Sequence, residues 1–153
     1  MSAAIQSPRP AQPDQDDFGL PGWIYHDRDF FELEKRSIFR TSWQLVCHSN
    51  DIPQVGDYHR FDLLGESVVT VRGKDDQLRS FYNVCRHRAS RLLDAQKGNC
   101  GKLIACPYHH WSYSLEGKLV GVPQRTSFRG LDMESRGLVA LEEEIFMGFR
   151  FVR

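Results

Sequence analysis

The sequence predicts a small, mainly β protein, an antiparallel and sandwich-like architecture with one helix near the N-terminus. Short runs rich in β-branched and aromatic residues recur from residue 56 onward, each the length of a strand rather than a helix. Polar turns interrupt them at intervals of about 8–12 residues. No Gly-rich phosphate loop and no alternation of strand with helix is present, which sets aside the parallel α/β classes.

Residues 1–17, MSAAIQSPRPAQPDQDD, are nearly devoid of large apolar side chains. Such a segment cannot bury enough surface to offset its ordering entropy. A disordered tail is therefore expected over 1–19, with one domain filling 20–153. Asp29 followed by Glu32 resembles a capping box, opening a helix that runs to about Arg40. Phe30, Phe31, Leu33 and Ile38 share roughly half of its circumference and are expected to pack onto the sheet.

Strands are expected over 56–64, 67–72 and 78–84, separated by turns at Gly65-Glu66 and Gly73-Lys74-Asp75-Asp76. Further strands are expected over 102–105, 112–115, 118–122, 138–141 and 145–152, with Glu116-Gly117 as a hairpin signal. Trp23, Trp43 and the phenylalanines are expected to build the core. Glu142-Glu143-Glu144 reads as a solvated turn, and His26, His48 and His59 receive no chemical role.

Net charge is zero, so nothing points to nucleic acid or an anionic membrane. The charge is uneven: residues 1–80 hold 9 basic and 13 acidic side chains, residues 81–153 hold 11 and 7. No apolar run approaches the roughly 18 residues of a membrane span, and the basic-then-apolar layout of a secretory signal is missing. Four cysteines in 153 residues do not make a disulfide scaffold, so a cytoplasmic protein is expected. Cys47 and Cys100 lack a C-x-x-C partner and are expected to be buried or partly buried free thiols.

The informative residues form two clusters. Cys85-Arg86-His87 is C-x-H, and Cys106-Pro107-Tyr108-His109 is C-x-x-H, with 18 residues between His87 and Cys106. Thiolates and imidazoles suit zinc or iron–sulfur chemistry, not calcium or magnesium. Zinc fingers usually pair like ligands, Cys with Cys and His with His. Here each loop supplies one of each, which fits a binuclear centre with both thiolates on one iron and both imidazoles on the other. On spacing alone, zinc stays open.

CRHRAS around Cys85 and CPYHHWSYSLEGKLVGVP from Cys106 closely resemble the two cluster-binding loops of Rieske proteins in the ring-hydroxylating oxygenase family. FFELEKRSIFRTSWQLVCHSNDIPQVGDY is similar to the family's N-terminal helix and first strands, and IFMGFRFV to its closing strand. The resemblance thus covers nearly everything from Leu20 to Val152. It implies a Rieske fold with a cluster-binding subdomain and one [2Fe–2S] cluster on Cys85, His87, Cys106 and His109. Gly is usual in the family where this chain has Ala89 and His110; the latter reads as a tolerated surface change. Ser90 and Tyr108 stand near the places where respiratory Rieske proteins carry an extra cysteine.

With neutral imidazoles, two ferric ions, two sulfides and two thiolates sum to zero charge, so this ligand set raises the potential to about −150 to +300 mV across the class. Trp111 stands where high-potential members place a hydroxyl donor, which implies the lower part of that range, with Tyr113 left as a donor. Reduction should raise the pKa of the ligand imidazoles, so the potential should fall as pH rises above neutrality. Arg86, Arg88 and Arg91 admit two readings: a docking face for an acidic donor, or guanidinium groups bracing loop carbonyls.

In the family, the cluster passes electrons from a reductase or ferredoxin to a mononuclear non-haem Fe(II) in a C-terminal domain, which hydroxylates or demethylates an organic substrate. Subunits commonly assemble as trimers, so that a cluster faces a neighbour's iron. No D-x2-H-x4-H pattern is present, and the chain ends where that domain would begin. A Rieske domain without its catalytic partner is therefore expected, transferring electrons but not oxygenating alone. A free-standing Rieske ferredoxin and a structural zinc module are the alternatives.

Overall fold

The computed structural model describes residues 19–153; the expected tail, apart from Gly19, lies outside the described residues. Among these described residues ten short strands form three antiparallel sheets. The first joins β1 (Gln44–His48), β10 (Phe149–Val152) and β9 (Glu143–Phe146) in that order. The second runs β4 (Leu78–Tyr82), β3 (Glu66–Arg72), β2 (Asp57–Leu63), β5 (Lys97–Asn99). The third, β6 (Leu103–Ala105), β7 (Ser112–Ser114) and β8 (Leu119–Gly121), carries one of the two Cys/His loops.

Most expected strands are present within a residue or two, and the departures have local causes. The run 138–141 forms only an isolated bridge, Ala140 with Phe81. The run 145–152 is not one strand but part of a hairpin, turned at Met147-Gly148 with φ of 50° and 83°. Leu64-Gly65 makes the same turn between β2 and β3, with φ of 54° and 85°. Two successive left-handed residues match the right-handed twist of the flanking strands. Met and Leu at the first position hide the signal that Asn or Asp would give.

Glu142-Glu143-Glu144 is likewise not a turn. Glu143 opens β9 and lies 3.7 Å from the buried Arg150, while Glu142 pairs with Arg153. An Arg150 guanidinium N–H also donates to the Leu78 carbonyl at 3.2 Å, tying the first sheet to the second.

The helix α1 (Arg28–Glu34) starts two residues earlier than expected. Its N-cap is Asp27, whose carboxylate accepts the Phe30 N–H at 2.8 Å. A π-helical turn over Lys35–Phe39 follows. The expected packing face is only local: Phe30 meets Trp23 edge-on and Phe31 meets Phe39, while Phe31, Leu33 and Ile38 stay exposed. Trp43 is also exposed, with the Arg153 guanidinium over its ring, and Phe146 and Phe149 are surface residues. These aromatics do not build the core.

The main core joins the second and third sheets through Tyr58, Val69, Val71, Phe81, Ile104 and Leu115, and it contains both Cys85 and Cys106. A smaller one, with Val46, Cys47, Ile52, Leu78 and Val152, lies beneath the first sheet. Burial pushes the Cys47 thiol up to about 11, an inert buried sulfur as expected. Cys100 is half-buried and donates to the Gly56 carbonyl.

His59 on β2 is set between Thr70 and Lys97 on the neighbouring strands, and its Nδ1 is buried without a partner. Burial, then the Lys97 charge, holds its pKa below the ordinary imidazole value, against the pull of Asp51. The unfolded chain therefore binds this proton more readily. Stability is expected to fall as pH drops through about 6.5, and His59→Gln should flatten that part of the profile. Thermal melts of both proteins between pH 7.5 and 5 check this, and parallel slopes would refute it.

Candidate metal centre

The two clusters fold into loops of the same form. Val84 bridges Arg91 and so closes loop 85–90; Ala105 pairs with Ser112 and closes loop 106–111. In each, the cysteine N–H donates to the carbonyl five residues on, Ser90 or Trp111, at 2.8 Å. In each, the N–H four residues on, from Ala89 or His110, returns to the cysteine carbonyl at 3.0 Å. That fourth residue is left-handed in both, Ala89 at φ 55° and His110 at φ 57°. The family's preference for Gly at these positions thus has a backbone cause.

A left-handed residue with a Cβ costs about 1 kcal/mol, and the exposed His110 side chain makes no hydrogen bond among the described residues. His110→Gly is expected to raise the melting temperature by about 2–4 °C, the shift for about 1 kcal/mol in a domain of this size. A scanning melt checks it, and a lower value would mean that His110 makes a compensating contact.

Asn83, assigned no role from the sequence, fastens the first loop at its base. Its side chain is fully buried, accepts the Leu93 N–H at 3.0 Å and donates to the Leu93 carbonyl at 2.7 Å. The residue follows β4 amid ordinary neighbours, so no sequence pattern marks it.

The two loops bring the expected donors together by type, thiols in one core cluster and imidazoles side by side, while among the described residues no group of three or more His, Cys, Asp or Glu side chains is placed to hold one metal ion. Cys85 and Cys106 are free thiols, both buried in the main core. Burial raises the Cys85 thiol pKa. At Cys106 burial acts the same way, but the backbone N–H groups of His109 and Tyr108, with Cys85 and Ser90, outweigh it and favour the thiolate. The His87 and His109 rings lie 4.7 Å apart, and the Nδ1 of each is buried without a partner. Burial, with His109 and Arg88 nearby, lowers the His87 pKa and keeps its imidazole neutral. Two thiols and two buried imidazole nitrogens without a hydrogen-bond partner among the described residues are, by type, the donors that a binuclear centre of mixed Cys/His type takes.

The surrounding residues divide. Tyr113 is fully buried, its hydroxyl 3.3 Å from the Cys85 sulfur and accepting the Arg86 N–H at 2.9 Å. Trp111 is buried and stacks on His87 at 4.8 Å with ring planes 8° apart. Tyr108 is exposed against His109, ring to ring at 3.7 Å. Arg86 and Arg88 are exposed, and among the described residues their guanidinium groups make no ion pair or hydrogen bond. The bracing reading therefore fails for both; Arg91 lies 3.9 Å from Asp62.

Donor geometry alone does not separate zinc from a cluster. Residues 42–136 match the profile described as Rieske [2Fe-2S] domain. The chain belongs to the Rieske [2Fe-2S] domain family. Similar Rieske proteins include the carnitine monooxygenase oxygenase subunit of Escherichia coli K12, 38% identical over 90% of this chain and 37% of the relative. The 2-aminobenzenesulfonate 2,3-dioxygenase subunit alpha of an Alcaligenes species is 35% identical, over 87% and 34%. Among solved structures, a quaternary ammonium Rieske monooxygenase in complex with L-carnitine superposes with a TM-score of 0.79 at 38% identity, covering 86% of this chain and 37% of that one. Naphthalene 1,2-dioxygenase from a Rhodococcus species gives 0.79 at 30% identity, covering 84% and 30%. This Rieske chain spans just over a third of the length of the curated relatives it matches. Among its described residues no helix is long and apolar enough to cross a membrane.

Proposed function

We propose that residues 20–153 are the electron-transfer domain of an oxygenase α subunit, holding one [2Fe–2S] cluster through Cys85, His87, Cys106 and His109. The observation that carries this is the convergence of two equivalent loops, each presenting one buried thiol and one buried, unpartnered Nδ1. The cluster, when bound, stores and releases a single electron. The chain's own residues keep the sulfurs dry and hold the two half-buried histidine rings against each other. A cytoplasmic reductase or ferredoxin is the donor, and a mononuclear iron in an oxygenase catalytic domain is the acceptor, with assembly as a homotrimer.

Exposed, unpaired Arg86 and Arg88 on either side of His87 suit an acidic face on a redox partner. The relatives act on quaternary ammonium and aromatic compounds at nearly equal identity, which leaves the choice of organic substrate to residues outside this domain.

The test is an absorption spectrum of aerobically purified protein, electron paramagnetic resonance after dithionite reduction, and iron and sulfide assays. About two irons and two sulfides with the low-average-g signal of a mixed Cys/His cluster is the expected result. A colourless, sulfide-free protein with one zinc would overturn it.

A further inference from the structure

We propose that Phe128 is a positioning residue for the cluster, a second wall beside Trp111 that fixes the ring plane of His87; the inference rests on His87 being a ligand. A metal-bound histidine is ordinarily oriented by a hydrogen bond from its second ring nitrogen to a carboxylate or carbonyl. His87 has none: neither ring nitrogen has a hydrogen-bond partner among the described residues. Among the described residues, what orients the ring is packing.

Two aromatic rings supply that packing. The Trp111 indole lies parallel to the imidazole, 4.8 Å away, which prevents tilting toward it but permits sliding and rotation within the stack. The Phe128 ring meets the imidazole at 82° and 5.6 Å and the indole at 76° and 5.6 Å, closing the open side of the stack. His109 is held less firmly, by His87 itself and by the exposed Tyr108.

Phe128 can serve as a wall because its own turn holds it. Its N–H donates to the Arg125 carbonyl and its carbonyl accepts the Leu131 N–H, backbone bonds that do not depend on the Leu131 side chain. The segment lies well beyond both Cys/His loops in sequence, so neither motif announces it.

The test compares wild-type protein with Phe128→Ala, Phe128→Tyr and Leu131→Ala, the last trimming a neighbouring side chain that packs on the core while leaving those backbone bonds in place. The readouts are the g values of the dithionite-reduced protein and the rate of iron loss to a chelator. Phe128→Ala is expected to shift the g values and to speed iron loss about tenfold, the lower end of what removing an outer support costs a metal site. Phe128→Tyr should restore both, and Leu131→Ala should leave the g values in place. If Phe128→Ala does not load, Phe128→Leu takes its place with the same readouts. Wild-type g values and retention in Phe128→Ala or its replacement would overturn the proposal, as would an equal g shift in Leu131→Ala. A wild-type protein without iron and sulfide would instead overturn the ligand assignment beneath it.

Discussion

Cys106→Ser protein is expected to purify without visible cluster absorption, its iron and sulfide falling from about two each to near zero. The site demands a thiolate at that place. The sulfur is almost wholly buried, and the N–H groups of His109 and Tyr108 already favour its anion over the opposing effect of burial. A serine hydroxyl stays protonated there, is shorter, and leaves those donors aimed at a neutral oxygen. Because a site of this kind contributes its binding free energy to folding, the variant should also melt earlier than the loaded wild-type protein. Cys100→Ser and Cys47→Ser are the controls: one sulfur is satisfied by the Gly56 carbonyl and the other lies in the second core. Full iron and sulfide in Cys106→Ser, or their loss in either control, would remove Cys106 from the ligand set.

The proposed ligand residues were legible because their chemistry is carried by residue type and short spacing. C-x-H and C-x-x-H name the donors, and both loops fold as closed turns whose hydrogen bonds run from each cysteine to the residues four and five positions on. The departures at Ala89 and His110 were visible as well, but their meaning was not. Only the backbone shows that both are left-handed. What escaped the sequence depends on neighbours distant along the chain. Asn83 matters through Leu93, and Phe128 through the ring of His87. Strand β5, Lys-Gly-Asn, has no apolar signal and exists because β2 pairs with it. The expected burial of Trp43 and of the helix face failed for a related reason: periodicity marks an apolar stripe, but nothing in it says whether the described residues supply a surface to cover that stripe.

Tyr113→Phe is expected to lower the reduction potential by about 40–90 mV. The hydroxyl oxygen accepts the Arg86 N–H, so its own hydrogen is free to point at the Cys85 sulfur 3.3 Å away. Burial and that sulfur push the phenol pKa up, which keeps the donor protonated at any working pH. A hydrogen bond to a charged acceptor is worth about 1.5–3 kcal/mol. Only the part that strengthens when the site gains negative charge moves the potential. With about 1–2 kcal/mol of that kind and 59 mV per tenfold for a one-electron couple, the shift lies in the stated range. Tyr108→Phe separates this effect from a general aromatic one, since the Tyr108 hydroxyl makes no hydrogen bond among the described residues. Its potential should match wild type in the same protein-film titration. An unchanged potential in Tyr113→Phe would mean that the hydroxyl serves only to hold the Arg86 N–H. The variant would then melt lower with its redox behaviour intact, and tuning of the site would fall to the backbone donors around the sulfurs.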